Sequence, residues 1–275
     1  MNQFSDSLFN ISNKTIVITG ATGVLGGAMA EGVARAGANV VVIGRRQEAG
    51  EVIVKKIEAA KGRAIFAQAD VLKEDQLLQA RDKILNTFGR IDALVNAAGG
   101  NLAGAVISPQ QNFFDLNMSE FDKVVSLNLT GTVLPTKVLC EDMIKRGSGV
   151  IINIASVSSF RPITRVVGYS AAKSALRSFT EWLAIEMAKK FGEGVRVNGI
   201  APGFFITEQN RNLLTNSDGT YTQRVEDAIR NTPFARFGQP DELVGTLIWL
   251  CSDASRFVTG VTVPVDGGFN VFSGV

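Results

Sequence analysis

Lys14-Thr15-Ile16-Val17-Ile18-Thr19-Gly20-Ala21-Thr22-Gly23-Val24-Leu25-Gly26 runs a β-branched apolar strand directly into a glycine-rich turn. Leu25, Met29, Val33 and Ala36 then recur at helical spacing, and Gly37 stands where a helix-terminating glycine belongs. Strand, turn and helix in this order aim backbone amides and a helix N-terminus at one spot, which suits a pyrophosphate. A glycine-rich turn alone would also suit a tight bend. The ordered context selects a dinucleotide, with Gly20, Thr22, Gly23, Val24, Leu25 and Gly26 as candidate contacts.

The alternation continues outward from this unit. Val40 to Ile43, Ala64 to Gln68, Ile91 to Val95, Gly149 to Ile154, Val195 to Ile200 and Val261 to Val265 are predicted strands. Helical periods lie between them, from Gln47 to Lys61, around Leu77, Ile84 and Phe88, from 119 to 145, and from Tyr169 to Phe191. Pro240 suits the first turn of a later helix. Continuous apolar strands alternating with helices predict a Rossmann-type, doubly wound parallel sheet in a three-layer αβα arrangement. No linker divides residues 1–275, so one domain is expected, with a polar substrate loop or lid at about 207–231.

Composition narrows the chemistry. The 45% hydrophobic and 20% charged residues describe a globular chain, and the net charge of +2 suggests neither nucleic acid nor an anionic membrane. The N-terminal residues lack the pattern of a signal peptide, no apolar run is long enough to span a bilayer, and Cys140 and Cys251 sit among apolar residues. A cytoplasmic protein is expected. The chain has no histidine, which excludes Ser-His-Asp hydrolysis and histidine base chemistry, and no metal site is expected. Proton transfer near neutral pH falls to a tuned Tyr, Lys, Cys or carboxylate.

Other strand ends extend the nucleotide site. Asp70 and Val71 follow the third strand, where a carboxylate and the backbone can meet an adenine; Asn96, Ala97, Ala98 and Gly99 follow the fourth, where small residues admit a flat cofactor. At the second strand end, Gly44-Arg45-Arg46 replaces the acidic residue that would select NAD. Gly44 leaves room, and either arginine can hold a 2′-phosphate, which predicts a preference for NADP(H) over NAD(H). Both arginines equally suit solvated charges at a helix start.

Tyr169-Ser170-Ala171-Ala172-Lys173, Asn153-Ile154-Ala155-Ser156, Asn128 within Leu127-Asn128-Leu129, and Pro202-Gly203 with Thr207 appear in one order. The chain thereby resembles the classical short-chain dehydrogenase/reductase family over essentially its whole length. That resemblance implies an NAD(P)-dependent oxidoreductase with Asn128, Ser156, Tyr169 and Lys173 as its catalytic set. Pro202, Gly203, Phe205 and Thr207 would contact the nicotinamide side, and Asn128 would hold a water relaying protons to Lys173. Residues four apart share a helix face, so Lys173 can lie beside the Tyr169 hydroxyl and favour its phenolate. Ser156 would donate to the reacting oxygen. One departure concerns the turn. Gly23 precedes the family's usual middle position, occupied here by Val24, and the run also fits the Thr-Gly-x-x-Gly-x-x-Gly form of the extended branch.

The segment 100–118 is longer than such chains usually carry, and loops at the carboxyl edge shape pockets. Asn101, Ser158, Arg161, Arg165 and Gln209 are candidate substrate residues, because polar and cationic groups suit a polyhydroxylated acid as well as a solvated surface. The turn, the Gly-Gly-Asn loop and the Asp266-Gly267-Gly268-Phe269 ending resemble family members that interconvert fructuronate and mannonate. Gluconate 5-dehydrogenase-like and 3-oxoacyl reductase-like specificities are the alternatives, and a nucleotide-sensing regulator is a more distant one. The two long helices predict a homodimer or homotetramer, with the tail from Phe269 packed on a neighbour.

Overall fold

The computed structural model describes residues 7–205 and 222–274. Seven parallel strands form one sheet: β1 (Thr15–Thr19), β2 (Asn39–Gly44), β3 (Arg63–Gln68), β4 (Ala93–Asn96), β5 (Gly149–Ile154), β6 (Val195–Pro202) and β7 (Thr262–Val265). Their spatial order is β3-β2-β1-β4-β5-β6-β7. The chain thus winds outward one way from β1 to β3, then returns to the centre and winds the other way. The reversal between β1 and β4 opens a crevice at the carboxyl ends of those strands, where ligands bind in such sheets.

Period-two alternation explains why both sheet faces are covered. Ile16, Ile18, Val40, Val42, Val95, Ile152 and Ile200 point to one face, packing with Met29 and Val33 of α1 (Val24–Arg35) and Leu247 and Leu250 of α9 (Val244–Cys251). Val17, Val41, Ile43, Leu94, Ile151 and Val197 point to the other. There they meet Leu77 and Ile84 of α3 (Glu74–Phe88), Leu139 of α5 (Gly131–Leu139) and Leu183 of α7 (Val167–Phe191). The fold is the expected Rossmann α/β architecture. The remaining helices are α2 (Gln47–Ala59), α4 (Met118–Val125), α6 (Glu141–Arg146) and α8 (Gln223–Arg230).

Helix punctuation follows local chemistry. Gly37 has φ +89° just beyond α1, and Gly89 closes α3 at φ +75°, both conformations that side chains disfavour. The single helix expected over 119–145 is instead three pieces. A π-helical turn at Ser126–Thr130 separates α4 from α5, Pro135 lies inside α5, and Cys140 divides α5 from α6. An extra residue in the π turn and a proline without an amide both interrupt the regular ladder. Pro240 opens a 3-10 turn, Pro240–Leu243, ahead of α9.

The segment 100–118 is not featureless. Two 3-10 turns, Ala103–Ala105 and Phe113–Asp115, punctuate it, and Asn112 caps the second by accepting from the Phe114 amide at 2.9 Å. Asn117 then caps α4 by accepting from the Glu120 amide at 3.2 Å. No helix among the described residues is long and apolar enough to cross a membrane.

Candidate active site at the carboxyl edge

Strand register aligns the ends that carry the candidate residues. Thr19 pairs with Ile43 and with Asn96, and Asn96 pairs with Asn153. The β1–α1 turn then folds back against the segment after β4. Gly20 has φ +67°, and a Cβ there would lie 2.6 Å from Ala98 Cα and 2.7 Å from Ala97 O. At Gly26 a Cβ would lie 2.5 Å from Gly20 O. Backbone meets backbone at both places, so no side chain can be accommodated. Gly23 is different. It precedes α1 at φ −90°, and its added Cβ would only approach Gly20 O at 3.3 Å. The unusual spacing is therefore tolerated, because Gly20 and Gly26 carry the steric requirement while Val24 simply begins the helix.

Thr19 was not among the candidates, yet its Oγ1 accepts from the Ala97 amide at 3.1 Å and the Ala98 amide at 3.2 Å. It ties the two halves of the crevice together. Its signal was visible only as a hydroxyl at a strand end. Asn96 Nδ2 donates to Thr136 Oγ1 and Asn153 Oδ1, both at 2.9 Å. Its side chain thus braces β4 against α5 and β5, leaving the small residues after it to face the crevice.

At the end of β2, a Cβ on Gly44 would lie 2.8 Å from Thr22 Cγ2. Arg46 donates to Thr22 O at 3.4 Å, which carries its guanidinium over the glycine turn. Arg45 lies 4.0 Å from Asp70 across the same rim. Asp70 Oδ1 accepts from the Leu72 amide at 3.0 Å, fixing the turn that presents Val71.

The four polar candidates on the other half of the crevice converge. Lys173 is 4% exposed, and its Nζ donates to Ile154 O, the last carbonyl of β5, at 2.7 Å. That nitrogen lies 5.6 Å from the centre of the Tyr169 ring. The Ser156 hydroxyl stands close enough to the Tyr169 phenol to lower its pKa. Ser156 Oγ also accepts from the Ser158 amide at 3.2 Å, while Ser159 Oγ donates to Ser156 O at 2.6 Å. This short turn, Val157–Ser159, locks the serine at the strand end. The buried Ser158 Oγ has no partner among the described residues.

Asn128 is fully buried in the π turn. Its Oδ1 accepts from the Gly100 amide at 3.0 Å, and its Nδ2 donates to Gly100 O at 2.7 Å and Val124 O at 2.8 Å. The side chain therefore clamps the loop after β4. Gly99 lies between the clamp and the lysine, because a Cβ there would be 2.6 Å from Asn128 Oδ1 and 3.3 Å from Lys173 Nζ.

Electrostatics refine the expected roles. Burial pushes the Tyr169 phenol above its ordinary value, and the Ser156 hydroxyl offsets this in part. Burial also pulls the Lys173 ammonium down to about 8. In the cofactor-free chain burial outweighs the other influences on the phenol. Desolvation acts directly on the phenol, whereas the lysine stands off and bonds to Ile154 O. Tyr169 is thus protonated at neutral pH, the form needed to deliver a proton.

Two candidate substrate arginines act first on backbone. Arg161 donates to Phe272 O at 2.7 Å, anchoring the C-terminal segment. Arg165, at φ +74°, donates from Nε to Ile107 O at 3.1 Å, and its own carbonyl accepts from the Ile107 amide at 3.0 Å. The 100–118 loop is thereby joined to the segment before α7. Asn101 is exposed near this loop's start. On the opposite wall, the Gly203 amide donates to Val265 O at 2.9 Å, and an added Cβ would lie 2.7 Å from Asp266 Cα. Phe205 is buried and bridges Gly238. Thr207, Gln209 and most of the expected 207–231 lid lie outside the described residues; α8 covers its end.

Comparison with known proteins agrees with this geometry. The profile of the family described as short chain dehydrogenase matches residues 14–218. An uncharacterized oxidoreductase of Bacillus subtilis, UxuB, is 46% identical over 97% of this chain and 98% of its own. A 5-keto-D-gluconate 5-reductase of Escherichia coli is 32% identical over 97% and 99%. A solved Haemophilus influenzae structure, of a provisionally described D-mannonate oxidoreductase with bound NAD, superposes with a TM-score of 0.91 at 39% identity, covering 97% and 98%. A Burkholderia cenocepacia gluconate 5-dehydrogenase in complex with NADP and tartrate superposes at 0.84 with 33% identity, covering 96% and 98%. The chain belongs to the short-chain dehydrogenase family and is an NAD(P)-dependent oxidoreductase acting on CH–OH groups.

Proposed function

We propose that this enzyme reversibly reduces the ketone of a keto sugar acid to a secondary alcohol, in the manner of fructuronate to mannonate, with Tyr169 as proton donor. The observation that carries the catalytic assignment is the buried Lys173 ammonium, bonded to the end of β5 just before Ser156 and 5.6 Å from the centre of the Tyr169 ring. The glycine turn at Gly20 and Gly26 would hold an NAD(P)H whose nicotinamide, when bound, would supply the hydride for the carbonyl carbon. Tyr169 gives its hydroxyl proton to the carbonyl oxygen as that oxygen gains charge, and Ser156 donates a hydrogen bond to the same oxygen. Lys173 stabilises the resulting phenolate and helps return a proton to it. Asn128 holds Gly100, and with it the chain at Gly99 beside the lysine, through two hydrogen bonds, and ties itself to Val124 by a third. In the oxidative direction Tyr169 accepts the alcohol proton.

The glycine turn fits the cofactor's pyrophosphate, since Gly20 and Gly26 exclude side chains from it. NADP(H) is the preferred form in this reading. It rests on Arg46 reaching the carbonyl of Thr22 and Arg45 flanking it. Both bound forms occur among similar structures, NAD in one and NADP in another. Replacing Arg45 and Arg46 together by Ala should raise the KM for NADPH about tenfold to hundredfold while leaving that for NADH within about threefold, the scale of losing one or two charged hydrogen bonds. Equal effects on both cofactors would overturn the preference.

Sugar-acid specificity is favoured by the similarity to mannonate- and gluconate-type oxidoreductases and by the cationic loop around Arg165. A screen of fructuronate, 5-ketogluconate and oxoacyl thioesters, each with NADH and NADPH, decides it. Tyr169→Phe should lower kcat at least about a hundredfold, the scale of one acid/base group, and leave cofactor affinity unchanged. Surviving turnover would sink the proton-donor assignment.

A further inference from the structure

We infer that Arg224, on α8, forms with Arg165 a two-guanidinium clamp that holds the carboxylate of the substrate and so selects acids over neutral sugars. This inference rests on the sugar-acid reading and names the residues that would enforce it.

Both arginines are half-buried, and Arg224 bonds to Thr164, the chain neighbour of Arg165. Arg165 lies four residues before Tyr169, immediately ahead of α7. Arg224 reaches the neighbouring residue, donating to Thr164 O at 3.2 Å and to Thr164 Oγ1 at 3.3 Å. The clamp thus sits against the segment that presents the proton donor. Burial lowers the proton affinity of Arg224, and the positive charge of Arg165 lowers it further. Two like charges held together in a partly desolvated place repel each other unless an anion intervenes.

No such anion is supplied by the chain among the described residues. Arg146, Arg177 and Arg236 each take a carboxylate, Asp142, Glu181 and Glu242 respectively. Arg165 and Arg224 have none within ion-pair reach among the described residues, and their recorded partners are the uncharged groups of Ile107 and Thr164. Those bonds orient the guanidiniums without exhausting them. Arg165 uses only Nε, and Arg224 uses one donor on each terminal nitrogen. The remaining forks match the four acceptor positions of a carboxylate.

The test uses the full chain with NADP(H), as wild type, Arg224→Gln, Arg224→Lys and Arg165→Gln. Binding of D-mannonate and D-gluconate to the enzyme–NADP complex is measured by calorimetry against the neutral polyols D-mannitol and D-glucitol. Reduction of fructuronate is compared with that of fructose. The clamp predicts that wild type favours each acid over its neutral counterpart. Arg224→Gln and Arg165→Gln should weaken acid binding about tenfold to hundredfold, the range for charged hydrogen bonds, with hexitol and cofactor binding unchanged. Arg224→Lys should lose less, because it keeps the charge. Should wild type favour the acids while both glutamine variants keep that preference, the clamp is wrong and the sugar-acid reading stands. Equal losses for acids and hexitols would reduce Arg224 to a strut for Thr164 and overturn the clamp. If wild type itself shows no preference for acids, both the clamp and the sugar-acid reading fall.

Discussion

Burying the Lys173 ammonium costs it proton affinity: its pKa falls to about 8 in the folded chain, against ~10.4 for an unfolded lysine. Between these values the unfolded state holds a proton that the folded state has released, so this group makes stability rise with pH across that window. Below it the full penalty remains, roughly 3 kcal/mol on the basis of the difference. The buried thiols act in the opposite sense, since burial pushes Cys251 up to about 12, and stability from that source falls once pH passes the unfolded thiol value. A Lys173→Met variant isolates the lysine. In denaturant melts of cofactor-free protein, the stability difference between wild type and variant should shift in favour of wild type from pH 8 to 10.5. A pH-independent difference would mean that the lysine is not desolvated. At Gly26 the argument is steric: Gly26→Ala puts a Cβ 2.5 Å from Gly20 O. It should cost about 1–3 kcal/mol, the scale of overpacking, and should weaken cofactor binding in fluorescence titration, whereas Gly23→Ala should leave both nearly unchanged. Tyr169 and Lys173 were legible because four residues on a helix is a local relation. Thr19 and Arg224 were not, because their partners lie 78 and 60 residues away in sequence.

The elements around the site divide in the same way. Strands were legible because each is a short apolar run buried on both faces, as in Ile16, Val17 and Ile18. The helix expected over 119–145 was not, because apolar periodicity continues across a π turn that adds one residue to the ladder. That turn is where Asn128 clamps Gly100. Asn128→Ala would strand the amide and carbonyl of Gly100 and the carbonyl of Val124, each costing about 1–3 kcal/mol if left unsatisfied. Amide exchange at Gly99 and Gly100 should accelerate markedly, and kcat should fall more than the KM for cofactor changes. Asn128→Asp keeps the acceptor toward the Gly100 amide but loses both donations, so it should rank between wild type and alanine. Unchanged exchange at Gly100 in the alanine variant would show that the loop is held by other contacts. The loop over 100–118 was legible as an insertion, but its attachment to Arg165 through Ile107 was not, because reciprocal backbone bonding carries no side-chain signature.

At the scale of the molecule, the sheet reversal between β1 and β4 explains why residues scattered from Thr19 to Asp266 meet at one edge, and sequence order alone was enough to anticipate it. The outer face of α7 poses a separate physical problem. Trp182 is 58% exposed and Ile185 60%, although the inner face of the same helix buries Leu176, Thr180 and Leu183. Ile185, Ala184 and Ala188 also line a shallow groove of about 360 Å³ beside Thr259 and Gly260, rimmed by Glu181 and Lys189. A second copy of this chain, related by a two-fold axis perpendicular to α7 near Ile185, would cover this patch with its own equivalent and set Glu181 of one helix toward Lys189 of the other, where opposite charges can meet. Covering the exposed parts of Trp182 and Ile185 on each side favours a dimer, by less per side chain than the roughly 1.5–3 kcal/mol of a fully exposed one and against the entropic cost of association. Light scattering at micromolar concentration should therefore give a mass at least twice the 29.4 kDa chain mass. The double substitution Trp182→Glu and Ile185→Glu should lower that mass by half or more while leaving the helical circular dichroism signal in place, since both side chains point away from the sheet. A wild-type mass of one chain would refute the dimer. An undiminished mass in the double variant would move the interface to another face, with the exposed Val271 of the C-terminal segment as the next surface to substitute.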